Sequence, residues 1–441
     1  MIPGSGAFKL ESRTARLVCA AFVFIVSLTT YVLTLAPAVT LVDSGELIVA
    51  ARTLGVAHPP GFPLYVVLAH LATLIPIGSI AVRVNFASAI FAALASATVT
   101  LLAAEALLTT ILIQKRSDQR PADRKKRGKT GAAASRLQWT PPPESVVLAA
   151  CSAAGLLLAF SRTLWAYATI AEVYTLNTLL IAGIFLLMFH WRRLVISDRL
   201  GSRPANPVTT NDRWLNAAAL LFGLGLGVHH VSVALMLPAL AWLVLSTAGV
   251  GFFMSRRLAR AAVAACAGFA VYVYLPLAAS RDPLMNWGDP RTLQRFLWHI
   301  TGKQYQVFFT FSPERMGQQL GEFFKLAGRE FGPWFIPVGL LLTALGAVAV
   351  FKRDKKAFWV LALVIACNVT YASGYQIAED KDAYYLPAFV AMVVLAAFSC
   401  DWLTRPFRSF TLLALKTRAV VGSAVLLLTP MAALFGNLPF N

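Results

Sequence analysis

Asp43 and Glu46 stand three residues apart in the stretch VDSGELIVAARTLGVAHPPGFPL (residues 42–64), and Arg52 and His58 follow in the same loop. If a helix begins at Asp43, both carboxylates fall on one face. There they can exchange a proton or ligate a divalent cation. The plainer reading is a helix start, with Asp43-Ser44 at the N-cap and Glu46 closing a capping box. The two readings are compatible. HPPGFP places three prolines within five residues; it cannot be helical, and it fixes a rigid turn that holds His58.

The surrounding chain is of a different character. Of its 441 residues 58% are hydrophobic and 13% charged, and the mean hydropathy is +0.67. That composition indicates an all-α polytopic membrane protein rather than a soluble one. Apolar runs long enough to cross a bilayer (about 20 residues) recur along the chain. They predict eleven spans, at 16–36, 85–113, 144–160, 172–191, 214–228, 230–248, 258–279, 333–351, 357–375, 384–401 and 412–436. The first is expected to be a retained anchor rather than a cleaved signal. The run at 64–77 is only 14 residues long and is expected to lie in the membrane interface.

Charge orients this arrangement. With the N-terminus cytosolic, 28 of the 39 Lys and Arg and nine of the 20 acids fall on the cytosolic side, which holds the whole net charge of +19. The opposite side carries eleven of each sign. This is the positive-inside pattern, and counting 64–77 as a span would put the basic stretch at 115–136 outside. Residues 114–143 then read as a disordered cytosolic linker that contacts anionic lipid headgroups. The chain is expected to be one transmembrane domain over 1–441. Its two large outer loops are 37–84, which contains the polar cluster, and 280–332. Basic residues gather at span ends without an RNA-binding motif, which argues against a nucleic-acid partner. The five cysteines lie in or beside apolar runs without CxxC spacing, as buried thiols do.

Further candidates lie at outer span ends. Glu172 and Tyr174 begin one span, and an acid at a membrane edge is functional by default, although a structural partner for Arg162 fits as well. His229-His230 lacks metal-ligand partners at helical spacing, and the GLGLGVHH stretch around it (223–230) suits close helix packing better than nucleotide binding. Trp287, Asp289 and His299 sit in the second outer loop. Glu379, Asp380 and Asp382 in EDKDAYYLP either bind a ligand or solvate a tip. No third ligand of suitable spacing accompanies Asp43 and Glu46, so no metal and no other cofactor is expected.

An acidic motif directly after the first span, followed by HPPG-x-P and an interfacial helix, resembles the GT-C glycosyltransferases. The stretch DSGELIVAARTLGVAHPPGFPLY, followed by PIGSIAVRVN, is more closely similar to the transmembrane protein 260 family. The likeness continues through AEVYTLN (171–177), GLGLGVHH, YLPLAA and NWGDP (274–290) and DAYYLP (382–387). The resemblance implies a GT-C-like fold and an endoplasmic-reticulum protein O-mannosyltransferase acting on IPT domains, or an inner-membrane enzyme if the chain is bacterial. The donor would be a sugar on a polyprenyl phosphate, the acceptor a luminal protein. Such transfer needs a carboxylate to take the acceptor's proton and cations to stabilise the departing phosphate. By the resemblance, Asp43 is the base, Glu46 orients the acceptor or tunes that base, and the product is inverted. For the phosphate, His58 and Arg83 are the preferred pair, with Arg52 and Arg281 also placed outside; arginine's planar fork suits phosphate. Glu172, Tyr174, Trp287, Asp289, His299 and Asp382 are the expected acceptor or sugar contacts. The competing expectation is a lipid or solute transporter, which would place polar groups at mid-membrane on repeated, broken helices. No such repeat is evident.

Overall fold

The computed structural model describes residues 12–41, 43–125, 139–200, 212–309, 312–333, 337–376, 380–404 and 412–441. It is helical, and its only β-pairing among the described residues is two isolated bridges. In chain order the helices are α1 (Arg13–Leu33), α2 (Ser44–Thr53), α3 (Pro63–Thr73), α4 (Ile80–Lys125), α5 (Glu144–Ala159), α6 (Arg162–Ala168), α7 (Tyr174–Leu200), α8 (Asp212–Ala234) and α9 (Leu237–Ala248). They continue as α10 (Arg256–Phe269), α11 (Tyr274–Ala279), α12 (Leu293–Ile300), α13 (Pro313–Glu330), α14 (Val338–Arg353), α15 (Lys355–Gly374), α16 (Leu386–Ala397), α17 (Cys400–Leu403) and α18 (Leu412–Asn437).

Apolar helices occupy all eleven predicted spans, and the chain is a multi-pass membrane protein. Among the described residues eight are long and apolar enough to cross a bilayer, and the pair α5–α6, bent by 61°, makes a ninth if counted as one span. The other two are α9 and α14, with 12 and 16 residues. The segment expected at the interface folds as the 11-residue α3. Several boundaries differ from expectation, α7 for one continuing to Leu200, nine residues past its predicted end. Helix α4 runs through Lys125 into the stretch expected to be a linker, where Lys, Arg and Gln are good helix formers; residues 126–138 lie outside the described set. Helix α8 continues past residue 228, broken by a non-helical His229 (φ −149°, ψ 84°).

Small residues bring the spans together as expected for GLGLGVHH. A methyl group on Gly223 would lie 2.0 Å from the Ala265 carbonyl oxygen, and one on Gly268 would lie 2.3 Å from that of Leu220. Thus α8 and α10 pack backbone to backbone, as membrane helices do at glycine.

The charged groups segregate by face. Residues expected on the cytosolic side meet one another. Asp354 is buried and takes two 2.7 Å bonds from the Arg192 guanidinium, joining α15 to α7. Glu105 of α4 collects Arg16 of α1 and Arg193 of α7 at 2.6 Å each. Residues expected outside meet at the other end of the bundle, around the cavity described next.

Candidate functional site

Asp43 occupies the N-cap position of α2, but its side chain makes no capping bond, so the capping box does not form. Glu46 instead reaches forward twelve residues. Its carboxylate accepts the His58 backbone N–H and lies 3.2 Å from His58 Nδ1. On the other edge of the ring, His58 Nε2 is 3.7 Å from Asp43 Oδ2. The imidazole is therefore clasped between two carboxylates.

The turn performs this return. Gly61 has φ +90°, and a side chain there would collide with Leu275 and His299, so glycine is required both for conformation and for space. The Gly61 N–H closes back onto the His58 carbonyl at 2.7 Å. The second outer loop buttresses the turn. Val56 N–H donates to Met285 O at 2.7 Å, and Trp287 N–H donates to Val56 O at 3.0 Å. Phe62, Trp287 and Tyr305 surround the His58 ring edge-on, with centroids 4.8, 6.4 and 6.2 Å away.

Asp43 and His58 open onto a cavity of about 250 Å³. Five separate stretches line it, residues 43–62, 172–174, 229–231, 301–309 and 371–384, which belong to the two large outer loops or to the outer ends of predicted spans. Glu172 and Tyr174 are on its wall, as is Asp380, whose carboxylate accepts the Tyr174 hydroxyl. His230, Tyr305, Tyr371, Tyr375 and Tyr384 add imidazole and aromatic faces. No Lys or Arg is among the lining residues.

Crowded acids set the electrostatics. Burial, reinforced by the charges of Asp43 and Asp380, pushes the Glu172 carboxyl well above its usual range. Burial lifts Asp380 to about 6, with Asp43 and Asp382 adding to the rise and the Tyr174 hydroxyl opposing it. For His58, burial pulls the pKa down, but Glu46 and Asp43 outweigh it and the net shift is upward. Burial would raise Glu46, yet the hydrogen bonds and charge of His58 leave it lowered. A protonated imidazole between two ionised carboxylates accounts for both shifts.

The three side chains are also the one group among the described residues with metal-ligand proximity. Asp43, Glu46 and His58 offer ligand atoms within 4.8 Å of one another. Sequence spacing shows no third ligand because only the turn brings His58 back. A divalent cation held there would supply positive charge beside the cavity. It would need a neutral imidazole, whereas here both ring nitrogens face carboxylates.

The remaining sequence candidates are placed as follows. Arg83 does not line the cavity; its guanidinium donates to the carbonyls of Thr73, Ile77 and Gly78 at 2.8–3.0 Å, which ties the end of α3 to α4. Arg52 and Arg281 are exposed and also do not line it. Asp289 is held by Arg291 and Arg295 at 2.6 and 2.5 Å, a clasp within its own loop. His299 is buried behind Gly61 and Gly288, and burial lowers it to about 4. Asp382 accepts the Tyr167 hydroxyl at 2.8 Å, one step behind the cavity wall. Glu379 lies outside the described residues. The aromatic wall of Tyr305, Tyr371, Tyr375 and Tyr384 is missing from the sequence reading. Its signals are the aromatic density of QYQVFF and DAYYLP, which hold Tyr305 and Tyr384, and the four-residue spacing of Tyr371 and Tyr375.

The placement of Arg83 makes a prediction. Arg83→Ala is expected to cost about 1–3 kcal/mol of stability, from three bonds worth about 1 kcal/mol each, and to leave the donor KM of the folded fraction unchanged. Thermal unfolding and steady-state kinetics on the same preparation check this. A raised donor KM at unchanged stability would return Arg83 to the phosphate.

Comparison with known proteins gives the following. Residues 43–249 match the family described as the protein O-mannosyl-transferase TMEM260 N-terminal domain. The chain is 30% identical over 312 residues to protein O-mannosyl-transferase TMEM260 of Mus musculus, covering 69% of this chain and 37% of that protein. It is 24% identical over 302 residues to the Dictyostelium discoideum protein of the same name, covering 68% and 32%. The chain thus spans about a third of the length of these curated relatives. The fold is similar to that of ArnT from Cupriavidus metallidurans bound to undecaprenyl phosphate, with TM-score 0.54 and 14% identity over 96% of this chain and 75% of that one. The apo state of ArnT gives TM-score 0.52 and 13% identity over 96% of this chain and 74% of that one. The GT-C-like fold implied by the motifs is therefore the fold observed.

Proposed function

Since the chain carries, over residues 43–249, the N-terminal domain of the TMEM260 protein O-mannosyl-transferase family, we propose that it transfers a sugar, mannose, from a polyprenyl phosphate to Ser/Thr hydroxyls of a protein acceptor. The observation that carries this reading is the meeting of Asp43, His58, Glu172 and Asp380 on one aromatic-walled cavity, at the end of the bundle that the charge distribution predicts to face outward. A lipid-linked donor keeps its tail in the bilayer and presents its headgroup at that level.

In the proposed reaction the acceptor oxygen attacks the anomeric carbon while the bond from that carbon to the phosphate oxygen breaks. Asp43 takes the hydroxyl proton, and the electron pair leaves with the lipid phosphate. The His58 imidazolium, kept charged by Glu46, stabilises that departing charge. Attack opposite the leaving group inverts the anomeric centre. Glu172, protonated in its buried acidic surroundings, and Asp380 with Tyr174 offer hydrogen bonds to sugar hydroxyls. The tyrosines supply flat apolar faces for the ring. The divalent cation that Asp43, Glu46 and His58 could hold is not required, because imidazolium fills the same role. With a dolichyl donor the compartment would be the endoplasmic-reticulum membrane.

The test is transfer by the purified protein from dolichyl-phosphate mannose to a folded IPT domain, with and without chelator. Mannosylated acceptor at an unchanged rate in chelator is expected. An acceptor that stays unmodified sinks the activity, and loss of transfer in chelator sinks its metal-independence alone.

A further inference from the structure

A second concave surface lies at the same end of the bundle, outside the site above. It is a groove of about 1020 Å³ between the first residue of α6, the last turns of α13 and α18, and the turn after α13. Its walls divide by chemistry. Phe324, Phe435 and Phe440 are exposed at 58–66% and form the apolar part. Arg162, Lys325 and Arg329 form the cationic part.

The groove is built rather than incidental. The Asn437 amide at the end of α18 donates to the carbonyls of Phe160 and Glu330 at 2.8 and 3.1 Å, fastening three elements around it. Glu330, the nearest acid along α13, turns inward and is fully buried, taking the Thr163 N–H and hydroxyl at 2.9 Å each. Among the described residues neither Arg162 nor Arg329 has an ion pair. Arg162 lies 3.8 Å over the Phe440 ring, and Lys325 pairs with Glu322 on the surface. On the groove surface three cations stand against one exposed acid, Glu322, which leaves that surface at +2.

The location selects the ligand. These residues sit where α5 ends, where α18 ends, and along the amphipathic α13, which exposes Leu320 and Phe324. In the topology that the charge distribution predicts, that is the outer water line, where an amphiphile places its headgroup. A phosphomonoester carries a charge near −2 at neutral pH, matching the groove, whereas a phosphodiester headgroup carries one charge. Arginine forks suit phosphate oxygens.

We propose that this groove binds a lipid phosphomonoester, with the phosphate held by Arg162, Arg329 and Lys325 and the chain laid along Phe324, Phe435 and Phe440. That this lipid is the carrier released by transfer rests on the function proposed above. The connection is short: α6 begins at Arg162 on the groove, and its Tyr167 bonds Asp382 behind the catalytic cavity.

The experiment counts bound lipid by native mass spectrometry on the full chain in phosphatidylcholine nanodiscs, with farnesyl phosphate as probe. Two bound molecules per chain are expected, one in the cavity and one in the groove. The double variant Arg162→Gln/Arg329→Gln should lose one of them with a tenfold or greater drop in affinity, and His58→Gln should lose the other. Arg162→Lys/Arg329→Lys should keep both, which separates charge from folding. Unchanged lipid binding in Arg162→Gln/Arg329→Gln overturns the proposal. So does equal occupancy of the groove by phosphatidylglycerol, or displacement of the lipid by equimolar inorganic phosphate. If transfer fails but this variant still removes one lipid, the groove stands and the proposed reaction does not.

Discussion

Asp43→Asn is expected to lower sugar transfer by about 10²–10⁴-fold, the range general-base catalysis contributes, while the protein folds and inserts as before. The two halves of that expectation have separate causes. The amide cannot take a proton from the acceptor hydroxyl at neutral pH, so the attacking oxygen loses its base. Folding is spared because the Asp43 side chain is 39% exposed and makes no capping bond to α2. An amide of nearly the same shape also relieves the crowding of acids with Glu172 and Asp380. Initial rates of mannose transfer, measured beside thermal unfolding, check both halves. Transfer within threefold of wild type would remove Asp43 as the base.

How much of this was legible in the sequence varies by residue. Asp43, Glu46 and His58 stood out because charge and proline are costly beside a membrane, so their presence in a short loop had to mean something. The charge count put both large outer loops on one side of the membrane, and residues of both line one cavity. What sequence could not give was the use each side chain makes of the backbone. Arg83 faces outward beside that loop, yet three carbonyls in the last residue of α3 and the turn after it absorb its donors, and carbonyl positions have no letter in the sequence. Asp289 was similarly opaque, since its clasp depends on a positive φ of 43° that aims it at Arg291 and Arg295. Tyr371, Tyr375 and Tyr384 were hidden for another reason. Aromatic residues at span ends are ordinary interfacial anchors, and only the packing of α15 against the turn at 381–385 makes these three a wall.

The second large effect concerns His58. His58→Gln is expected to reduce kcat by about 10²-fold, the lower end of what removing one charge-stabilising donor costs, and to flatten one limb of the pH profile. Burial alone would discharge the ring, but Glu46 and Asp43 hold its pKa above the usual histidine value. The imidazolium is therefore present at low pH and lost as pH rises through that raised value. Its stabilising contact with the carboxylates is lost over the same interval. Glu46 behaves in the opposite sense: its pKa is lowered, so its contribution is present above the ordinary glutamate range and disappears as pH falls through the lowered value. Between those limits the pair is intact and the departing phosphate meets a cation. Wild-type kcat should thus fall on the alkaline side, with a midpoint above 6.5, the unperturbed histidine value. Glu46→Gln should move that midpoint down, because it removes the largest force that opposes burial. Asp380, lifted to about 6, titrates nearby but ionises as pH rises, so Asp380→Asn distinguishes its limb from that of His58. An alkaline limb that survives unchanged in His58→Gln would show that some other group carries the charge.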